Sequence, residues 1–288
     1  MIKKMFLAVM VVSALVSCTT GNIGNPSSNL TLRLSGLEPL GDDFVYEGWL
    51  IVNGAPVSTG VFSSVDFPQT FSVKPSTLHR ATKFVLSIEP ANDVDPAPSM
   101  TKILVGDFTG NVASVSSNGV VGDFSNASGK YILATPTNGG DTDELSGIWY
   151  LDLSSGTPEV GLDLPVLDGG WKYEGWVVID GVPVSTGTFS DIADFDDNAM
   201  TSPFKGDMGD GPAFPGEDFL QNAPSGLSFP LDLRGYATVI SVEPYPDNSP
   251  APFTLKPLLH IIPENADDHV TIPMEDGPLA DLTGTVVR

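Results

Sequence analysis

Two stretches of this chain resemble one another and decide the fold. Residues 46–62 read YEGWLIVNGAPVSTGVF and residues 173–189 read YEGWVVIDGVPVSTGTF, with 11 of 17 positions identical. Both are rich in the aromatic and β-branched residues that favour strands. Each also contains a pair typical of a tight two-residue turn, Asn53–Gly54 in the first and Asp180–Gly181 in the second. Each stretch is therefore predicted to form a β-hairpin.

The first strand of the first hairpin carries apolar side chains on both faces. Tyr46 and Leu50 alternate onto one face, and Trp49 and Ile51 onto the other. Two explanations are open at this point: the strand is buried on both sides, or a β-bulge at Gly48 changes the alternation.

A second pair of similar stretches follows the hairpins in the same order. Residues 87–102 read SIEPANDVDPAPSMTK and residues 241–256 read SVEPYPDNSPAPFTLK, with 8 of 16 positions identical. Pro90 and Pro244 are predicted to end a strand, because proline has no N–H to donate to a ladder. The shared order of the two motifs predicts a domain duplication.

A glutamate precedes each of these prolines, Glu89 in the first motif and Glu243 in the second. A residue that recurs in both copies fits a requirement of the fold better than it fits a single active site. A carboxylate at a strand end can accept hydrogen bonds from loop amides, so both are interpreted as structural. The same interpretation applies to the other recurring residues, which are Tyr46, Trp49, Gly54 and Pro90 in the first copy and Tyr173, Trp176, Gly181 and Pro244 in the second.

Short β-rich runs alternate with turn signals along the whole chain, which is typical of β-sandwiches. The predicted fold class is all-β, with two tandem Ig-like antiparallel β-sandwich domains at residues 30–123 and 124–288. The second carries an acidic insertion at about 196–225. Within it, Glu217–Ala223 is predicted to form a short helix, since acids occupy its first turn and proline follows its end.

The N-terminus has the pattern of a secretory signal. Residues 1–17 combine a basic start with an apolar run that is too short to span a membrane, which needs about 20 residues. Leu15 to Cys18 resembles a bacterial lipobox. That resemblance implies cleavage before Cys18 and acylation of this residue, with residues 18–29 as a flexible tether. Thr19 in the position after the cysteine implies the outer membrane of the cell envelope.

Composition excludes several classes of function. The chain has 36 acidic residues against 13 basic ones, a formal net charge of −23, so nucleic-acid binding is not expected. A single cysteine excludes intrachain disulfides and zinc sites built from several cysteines. No nucleophile elbow, zinc-protease motif, phosphate loop or dinucleotide fingerprint is present, so the chain is predicted not to be an enzyme.

Two kinds of ligand remain candidates. Calcium prefers oxygen ligands, and acids cluster just before the insertion, although an acidic loop can also be merely solvated. The calcium candidates are Asp191, Asp194, Asp196 and Asp197. Aromatic side chains can bind sugars. Trp171 follows a glycine pair at the start of a strand, so it is expected to be exposed and available for ligand contact.

The paired motifs resemble the extracytoplasmic C-terminal domain of anti-sigma-K-type factors. The matching features are an aromatic strand, a glycine turn and a strand that ends in Glu-Pro; in this chain they are Tyr46, Trp49, Gly54, Glu89 and Pro90, and Tyr173, Trp176, Gly181, Glu243 and Pro244. The resemblance implies a non-enzymatic β-sandwich outside the membrane. Such factors also have a cytoplasmic sigma-binding domain and a transmembrane helix, neither of which is recognised here, so direct sigma-factor binding is not expected.

The sequence therefore predicts a membrane-anchored lipoprotein that acts as an extracytoplasmic binding or sensing module. Its expected partners are the membrane, through the lipid, and an envelope protein or glycan. The alternative is a carbohydrate- or calcium-binding surface lipoprotein, and a cell-envelope hydrolase is the third hypothesis.

Overall fold

The computed structural model describes residues 28–246, 249–279 and 281–288. The predicted signal peptide and Cys18 lie outside the described residues. The last two residues of the predicted tether, 28 and 29, belong to the first strand. Among the described residues, no helix is long and apolar enough to span a membrane.

The strands are β1 (Ser28–Ser35), β2 (Phe44–Val52), β3 (Ala55–Phe62), β4 (Gln69–Val73), β5 (Ala81–Pro90), β6 (Lys102–Thr109), β7 (Val112–Ser116), β8 (Ser128–Leu133), β9 (Gly147–Trp149), β10 (Leu151–Asp152), β11 (Glu159–Val160), β12 (Leu162–Asp163), β13 (Trp171–Ile179), β14 (Val182–Phe189), β15 (Gly216–Asp218), β16 (Ala237–Pro244), β17 (Leu258–Ile261), β18 (Ile272–Pro273), β19 (Glu275–Asp276) and β20 (Thr283–Val287), with α1 (Pro75–Arg80) and a 3-10 helix (Glu144–Ser146).

The all-β prediction is confirmed, and the strands pair antiparallel. The first sheet has eight strands in the order β3-β2-β5-β6-β7-β20-β1-β4. Its two end strands approach one another, since the ring centroids of Phe62 on β3 and Phe71 on β4 are 5.7 Å apart. The sheet is therefore folded over in a sandwich-like arrangement. Its interior contains fully buried apolar side chains such as Leu32, Tyr46 and Phe84.

The C-terminal strand of the chain belongs to this first sheet. Strand β20 lies between β1 and β7, with Val286 opposite both Leu32 and Ala113. The sequence assigned residues 283–287 to the second domain, 124–288, so the structure differs from that assignment at its end. The reason is physical: strand pairing here joins segments far apart in sequence, and local patterns do not specify such partners.

The middle of the chain forms a second half with its own sheets. Strands β14-β13-β16-β17-β19 form one five-stranded sheet, and β12-β8-β9-β15, with β18 beside β8, form another. Polar contacts link the two sheets. The hydroxyl of Tyr150 lies 2.9 Å from Oγ1 of Thr238, and that of Tyr131 lies 3.0 Å from Nδ1 of His260.

Two local predictions fail. Glu217–Ala223 is not a helix: Gly216–Asp218 forms β15 and pairs with β9. Both acids of this strand are buried and hydrogen-bonded, whereas a first helical turn would have placed them in solvent. Conversely, the short helix α1 was not predicted, although Pro75 at its first turn is a favourable start signal.

The two halves contact one another through backbone and side chains. Oγ1 of Thr101 donates to the carbonyl of Gly170 over 3.1 Å, and Nε1 of Trp171 donates to the carbonyl of Lys102 over 3.2 Å. Buried apolar residues from both halves form one continuous cluster. The halves are therefore packed together rather than merely linked along the chain.

Candidate functional site

Both predicted hairpins form, each with the same irregularity. The pairing register shifts between Gly48 and Trp49 in β2 and between Gly175 and Trp176 in β13. The extra residue lies on the partner strand in each hairpin, Thr59 in β3 and Thr186 in β14. Strand β2 itself pairs with β5 without a shift through Gly48, and Tyr46 and Leu50 on one face and Trp49 on the other are all buried. Of the two explanations that the sequence left open, the structure therefore supports burial on both sides. The turns are of the predicted kind, since Gly54 and Gly181 have φ of 82° and 83° and the residues before them are also left-handed.

The recurring tyrosines hold the loops that lead into the hairpins. The hydroxyl of Tyr46 donates to the carbonyl of Glu38 over 2.8 Å, and that of Tyr173 donates to the carbonyl of Pro165 over 2.6 Å. In each case the acceptor is eight residues upstream. Both rings are buried, so each tyrosine satisfies its polar end while its ring fills the core.

Each recurring tryptophan is connected to a recurring glutamate by hydrogen bonds through one serine. Nε1 of Trp49 donates to Oγ of Ser87 over 2.8 Å, and this hydroxyl donates to the carboxylate of Glu89. Trp176, Ser241 and Glu243 repeat the same chain of hydrogen bonds, again with 2.8 Å between Nε1 and Oγ. We call each set a Trp-Ser-Glu chain. The serines were missed by the sequence analysis, although each lies two residues before its glutamate in both motifs.

The glutamates also hold the loops that follow them. The amide of Ser99 donates to Glu89 at 2.9 and 3.1 Å, and the amide of Phe253 donates to Oε1 of Glu243 at 2.8 Å. These are the bonds expected of a carboxylate at a strand end. Burial raises the pKa of Glu89, the bonds from Ser87 and Ser99 oppose that rise, and the nearby negative charges of Glu47 and Asp93 add to it.

A groove of about 340 Å³ opens beside Glu89, on the outer face of the first sheet. We call it the acidic groove. Its walls are the side chains of β2 and β3 on one side and the loop after β5 on the other. The lining residues are Val45, Glu47, Val61, Glu89, Pro90, Ala91 and residues 93–96.

A second opening, of about 290 Å³, lies where the two halves meet. The loop from Glu38 to Phe44 forms one wall, and Glu243, Pro244 and Phe253 contribute to the other. Burial raises the pKa of Glu38, and the positive charge of Lys256 partly offsets that rise. This cleft therefore mixes apolar walls with acidic groups that are partly shielded from water.

The expectation for Trp171 is wrong. Its side chain is only 2% exposed, its ring centroid lies 6.0 Å from that of Phe253, and its Nε1 is bonded to Lys102 of the first half. Trp171 is thus part of the contact between the halves and offers no exposed platform to a sugar. A single sequence could not show this, because the side chain is covered by residues about 70 positions away in the chain.

The four calcium candidates do not converge. Asp191 and Asp194 are exposed and accept bonds from the nearby amides of Ala193 and Phe195. Asp196 is buried and accepts bonds from the amides of Gly216 and Asn198. Asp197 instead pairs with Nζ of Lys172 at 2.6 Å. Throughout the described ranges, no group of three or more His, Cys, Asp or Glu side chains could hold a metal ion.

The insertion also contains two buried carboxyl groups, Glu217 and Asp218, that the sequence analysis did not recognise. Glu217 accepts a bond from Oγ of Ser202, and Asp218 accepts bonds from Thr137 and from Nε1 of Trp149. Burial raises the pKa of Glu217 to about 8 and that of Asp196 to about 6. A possible signal was the pair of acids between aromatic residues in the sequence FPGEDF, at positions 214–219.

The comparisons with known proteins agree with the resemblance noted from the motifs. The model of the family described as "Anti-sigma-K factor rskA, C-terminal" matches residues 23–102. This range contains the first hairpin, the first Trp-Ser-Glu chain and all the residues that line the acidic groove. A search of curated proteins and a search of solved structures each found no match.

Proposed function

We propose that this chain is a non-enzymatic lipoprotein of the cell envelope, anchored through Cys18, in which the β-sheet halves act as an extracytoplasmic binding or sensing module. The observation that carries the proposal is the match of residues 23–102 to the C-terminal region of anti-sigma-K factors. The match begins five residues after Cys18, within the predicted tether, and extends through the first hairpin and the first Glu-Pro motif.

The first half also has the features of a binding domain. A rigid sheet, fixed by the Trp-Ser-Glu chain, presents the acidic groove to solvent, and binding residues on loops are commonly positioned in this way by a rigid scaffold. The net charge of −23 favours a cationic partner and opposes nucleic acid. Because Trp171 is buried, an envelope protein is a better candidate partner than a glycan.

The anchor is tested by metabolic labelling with an alkyne-bearing palmitate analogue in a bacterial host. We expect label on the wild-type chain, none on Cys18→Ala, and unchanged label on the matched control Thr20→Ala. After density-gradient separation of the envelope, we expect the labelled chain in the outer-membrane fraction. An unlabelled wild-type chain would remove the lipoprotein proposal, and label in the inner-membrane fraction would remove the outer-membrane assignment.

The binding role is tested in intact cells with a photo-cross-linking residue placed at either of two exposed valines. Val94 lines the acidic groove and is 97% exposed, whereas Val166 lies in a loop elsewhere and is 94% exposed. We expect one discrete adduct from position 94 and none from position 166. Identical adduct patterns from both positions would indicate chance encounters and contradict a defined binding surface.

A further inference from the structure

The insertion covers a small apolar cluster that is separate from the main core. The buried members of this cluster are Ile132, Ala134, Trp149 and Leu151. Phe214 of the insertion packs against it. The backbone of the insertion lies directly on the indole of Trp149, since a Cβ at Gly211 would be 2.1 Å from Cη2 of that ring and a Cβ at Gly216 would be 2.7 Å from Cδ2. This cover leaves Trp149 only 2% exposed.

The covering segment is a loop whose two ends are held together. Phe204 and Phe219 stand at these ends, with ring centroids 6.0 Å apart, and each ring also lies against that of Phe229. The amide of Leu220 donates to the carbonyl of Phe204 over 3.0 Å and joins the ends through the backbone. We call residues 205–218, which lie between the two ends, the lid. No residue of the lid takes part in these contacts at its base.

Two buried carboxyl groups attach the lid to the rest of the second half. Glu217 accepts a bond from Oγ of Ser202, which lies outside the lid. Asp218 accepts bonds of 2.8 Å from the amide of Thr137 and from Nε1 of Trp149. Glu217 and Asp218 are 3% and 0% exposed, and their partners are neutral donors. A negative charge on either acid is therefore held here without water around it.

The charges that act on Glu217 are acidic. Burial raises the pKa of Glu217 to about 8, and the bonds that it accepts from Ser202 and Asp218 oppose that rise. The charges of Asp196, in the loop after β14, and of Asp218, next to Glu217 on β15, add to it. Burial also raises the pKa of Asp218, and the charge of Glu144 on the 3-10 helix adds to that rise. Glu217 is therefore protonated at neutral pH while the lid is closed.

The lysines closest to these acids in the chain have other partners. Lys205 of the lid pairs with Asp210, which also belongs to the lid. Lys172 pairs with Asp197, the neighbour of Asp196, at 2.6 Å. Neither lysine therefore neutralises a charge on Glu217.

We propose that the lid closes over Trp149 while Glu217 is protonated and lifts from β9 when this carboxyl group ionises. A carboxylate buried beside other acids is costly, and lifting the lid returns it to water. In the lifted lid the pKa of Glu217 is its ordinary 4.5, so between this value and about 8 the closed lid holds a proton that the lifted lid releases. Rising pH therefore favours the lifted lid, by about tenfold per pH unit up to about pH 8. This device is independent of the binding role proposed above.

The test is amide hydrogen exchange of the chain purified in detergent, measured by NMR at pH 6, 7 and 8. Each rate is divided into the intrinsic rate at the same pH to give a protection factor. The amides of Gly206 and Met208 report on the lid, because both donate to Thr137 outside it. We expect their protection factors to fall about tenfold per pH unit. They should also stay below those of β5, which is paired on both sides and reports on global unfolding.

One pair of variants tests the titrating group. Glu217→Gln is neutral at every pH, so the protection factors of the lid amides should no longer change between pH 6 and pH 8. Glu159→Gln changes an exposed glutamate of β11 and should keep the pH dependence of the wild type.

A second pair tests the seat of the lid without any titration. Gly211→Ala places a methyl group against the indole of Trp149 and should lower lid protection at pH 6 by about tenfold or more. Gly209→Ala is its control, because Gly209 also has a positive φ, 127°, but no atom lies within 4 Å of its added Cβ.

Three results would overturn the proposal. Lid amides with the same protection factors as β5 at every pH would mean that the lid opens only when the whole chain unfolds. A wild-type pH dependence in Glu217→Gln would mean that another group controls the lid. Equal lid protection in Gly211→Ala and Gly209→Ala would mean that contact with Trp149 does not hold the lid closed.

Discussion

The indole nitrogen of Trp49 donates a 2.8 Å hydrogen bond to the hydroxyl of Ser87, at a buried point on the outer face of the first sheet. That hydroxyl donates in turn to the carboxylate of Glu89, which also accepts a bond from the amide of Ser99 in the loop after β5. The same relation joins Trp176 to Ser241 in the second half. A tryptophan of the hairpin is therefore connected, through one serine, to the loop that follows another strand.

Removing this serine hydroxyl should destabilise the fold. Ser87→Ala leaves both the indole N–H of Trp49 and one bond of the Glu89 carboxylate unsatisfied in a buried place, which costs about 1–3 kcal/mol. Ser58 also donates to a carboxylate, that of Glu47, but it is exposed, so Ser58→Ala should cost under about 0.5 kcal/mol. Urea unfolding monitored by tryptophan fluorescence measures both values. Equal losses in the free energy of unfolding would mean that the buried bonds of the Trp-Ser-Glu chain contribute no more to stability than the exposed bond of Ser58.

The contact between the halves should depend on one glycine. A Cβ on Gly170 would lie 2.4–2.5 Å from backbone atoms of Met100 and Thr101, closer than the backbone can accommodate without shifting. We expect Gly170→Ala to lower the midpoint of thermal unfolding by several degrees, which corresponds to about 1–3 kcal/mol. Gly140→Ala is the matched control, because no atom lies within 4 Å of its added Cβ. A midpoint in Gly170→Ala no lower than in Gly140→Ala would show that the halves can separate at no cost.

The stability of the chain should fall as pH rises through neutrality. Burial raises the pKa of Glu217 from its ordinary 4.5 to about 8, so between these values the folded chain holds a proton that the unfolded chain has released. The folded state then binds more protons, and the free energy of unfolding falls with increasing pH, by at most about 1.4 kcal/mol per unit for this one group. Asp196, with a pKa raised to about 6, adds to the fall at the acidic end of the window.

Glu217→Gln should flatten this pH dependence, because the amide is neutral at every pH and can still accept the bond from Ser202. The control is Glu159→Gln, which changes an exposed glutamate of β11 and should keep the wild-type slope. Urea unfolding at pH 5, 6, 7 and 8 gives one slope of the free energy of unfolding against pH for each of the three proteins. If Glu217→Gln retains the wild-type slope, the buried glutamate does not control the pH response.

The last residue of the chain should contribute to stability. The guanidinium of Arg288 donates to the carbonyls of Leu78, Ala81 and Gly110 and lies 4.3 Å from the centroid of the Phe108 ring. Arg288→Met removes these charge-assisted bonds and should cost about 2 kcal/mol or more in the free energy of unfolding.

Arg80→Met serves as the control for that substitution. Arg80 is exposed, and its Nε donates to the carbonyl of Ser76 within its own helix, so its loss should cost under about 0.5 kcal/mol. Differential scanning calorimetry of both variants gives the comparison. Equal losses of stability in the two variants would mean that water replaces the guanidinium of Arg288 at these carbonyls without a cost in free energy.

Most of what the motifs predicted concerns neighbours in sequence. Asn53–Gly54 forms the expected left-handed turn, Pro90 ends a strand, and Glu89 accepts bonds from the loop that it precedes. Turn chemistry and strand alternation depend on residues within a few positions of one another, so a single sequence carries them. The Trp-Ser-Glu chain was predicted only in part: its tryptophan and glutamate were recognised as recurring residues, and its serine was not. Ser87 is a polar residue in a β-rich run, and its partner Trp49 lies 38 positions away.

The sequence by itself determined the β class of this chain, its two hairpins, their turns and the resemblance of the first half to anti-sigma-K C-terminal domains. Only the tertiary structure decided that β20 completes the first sheet, that Trp171 is buried between the halves, and that the four calcium candidates have different partners. It also decided that Lys172 pairs with Asp197, whereas Val45, which lies opposite Glu89 as Lys172 lies opposite Glu243, lines the acidic groove. Burial and pairing are set by segments that meet only after folding, and no local pattern specifies which distant residue will cover a given side chain.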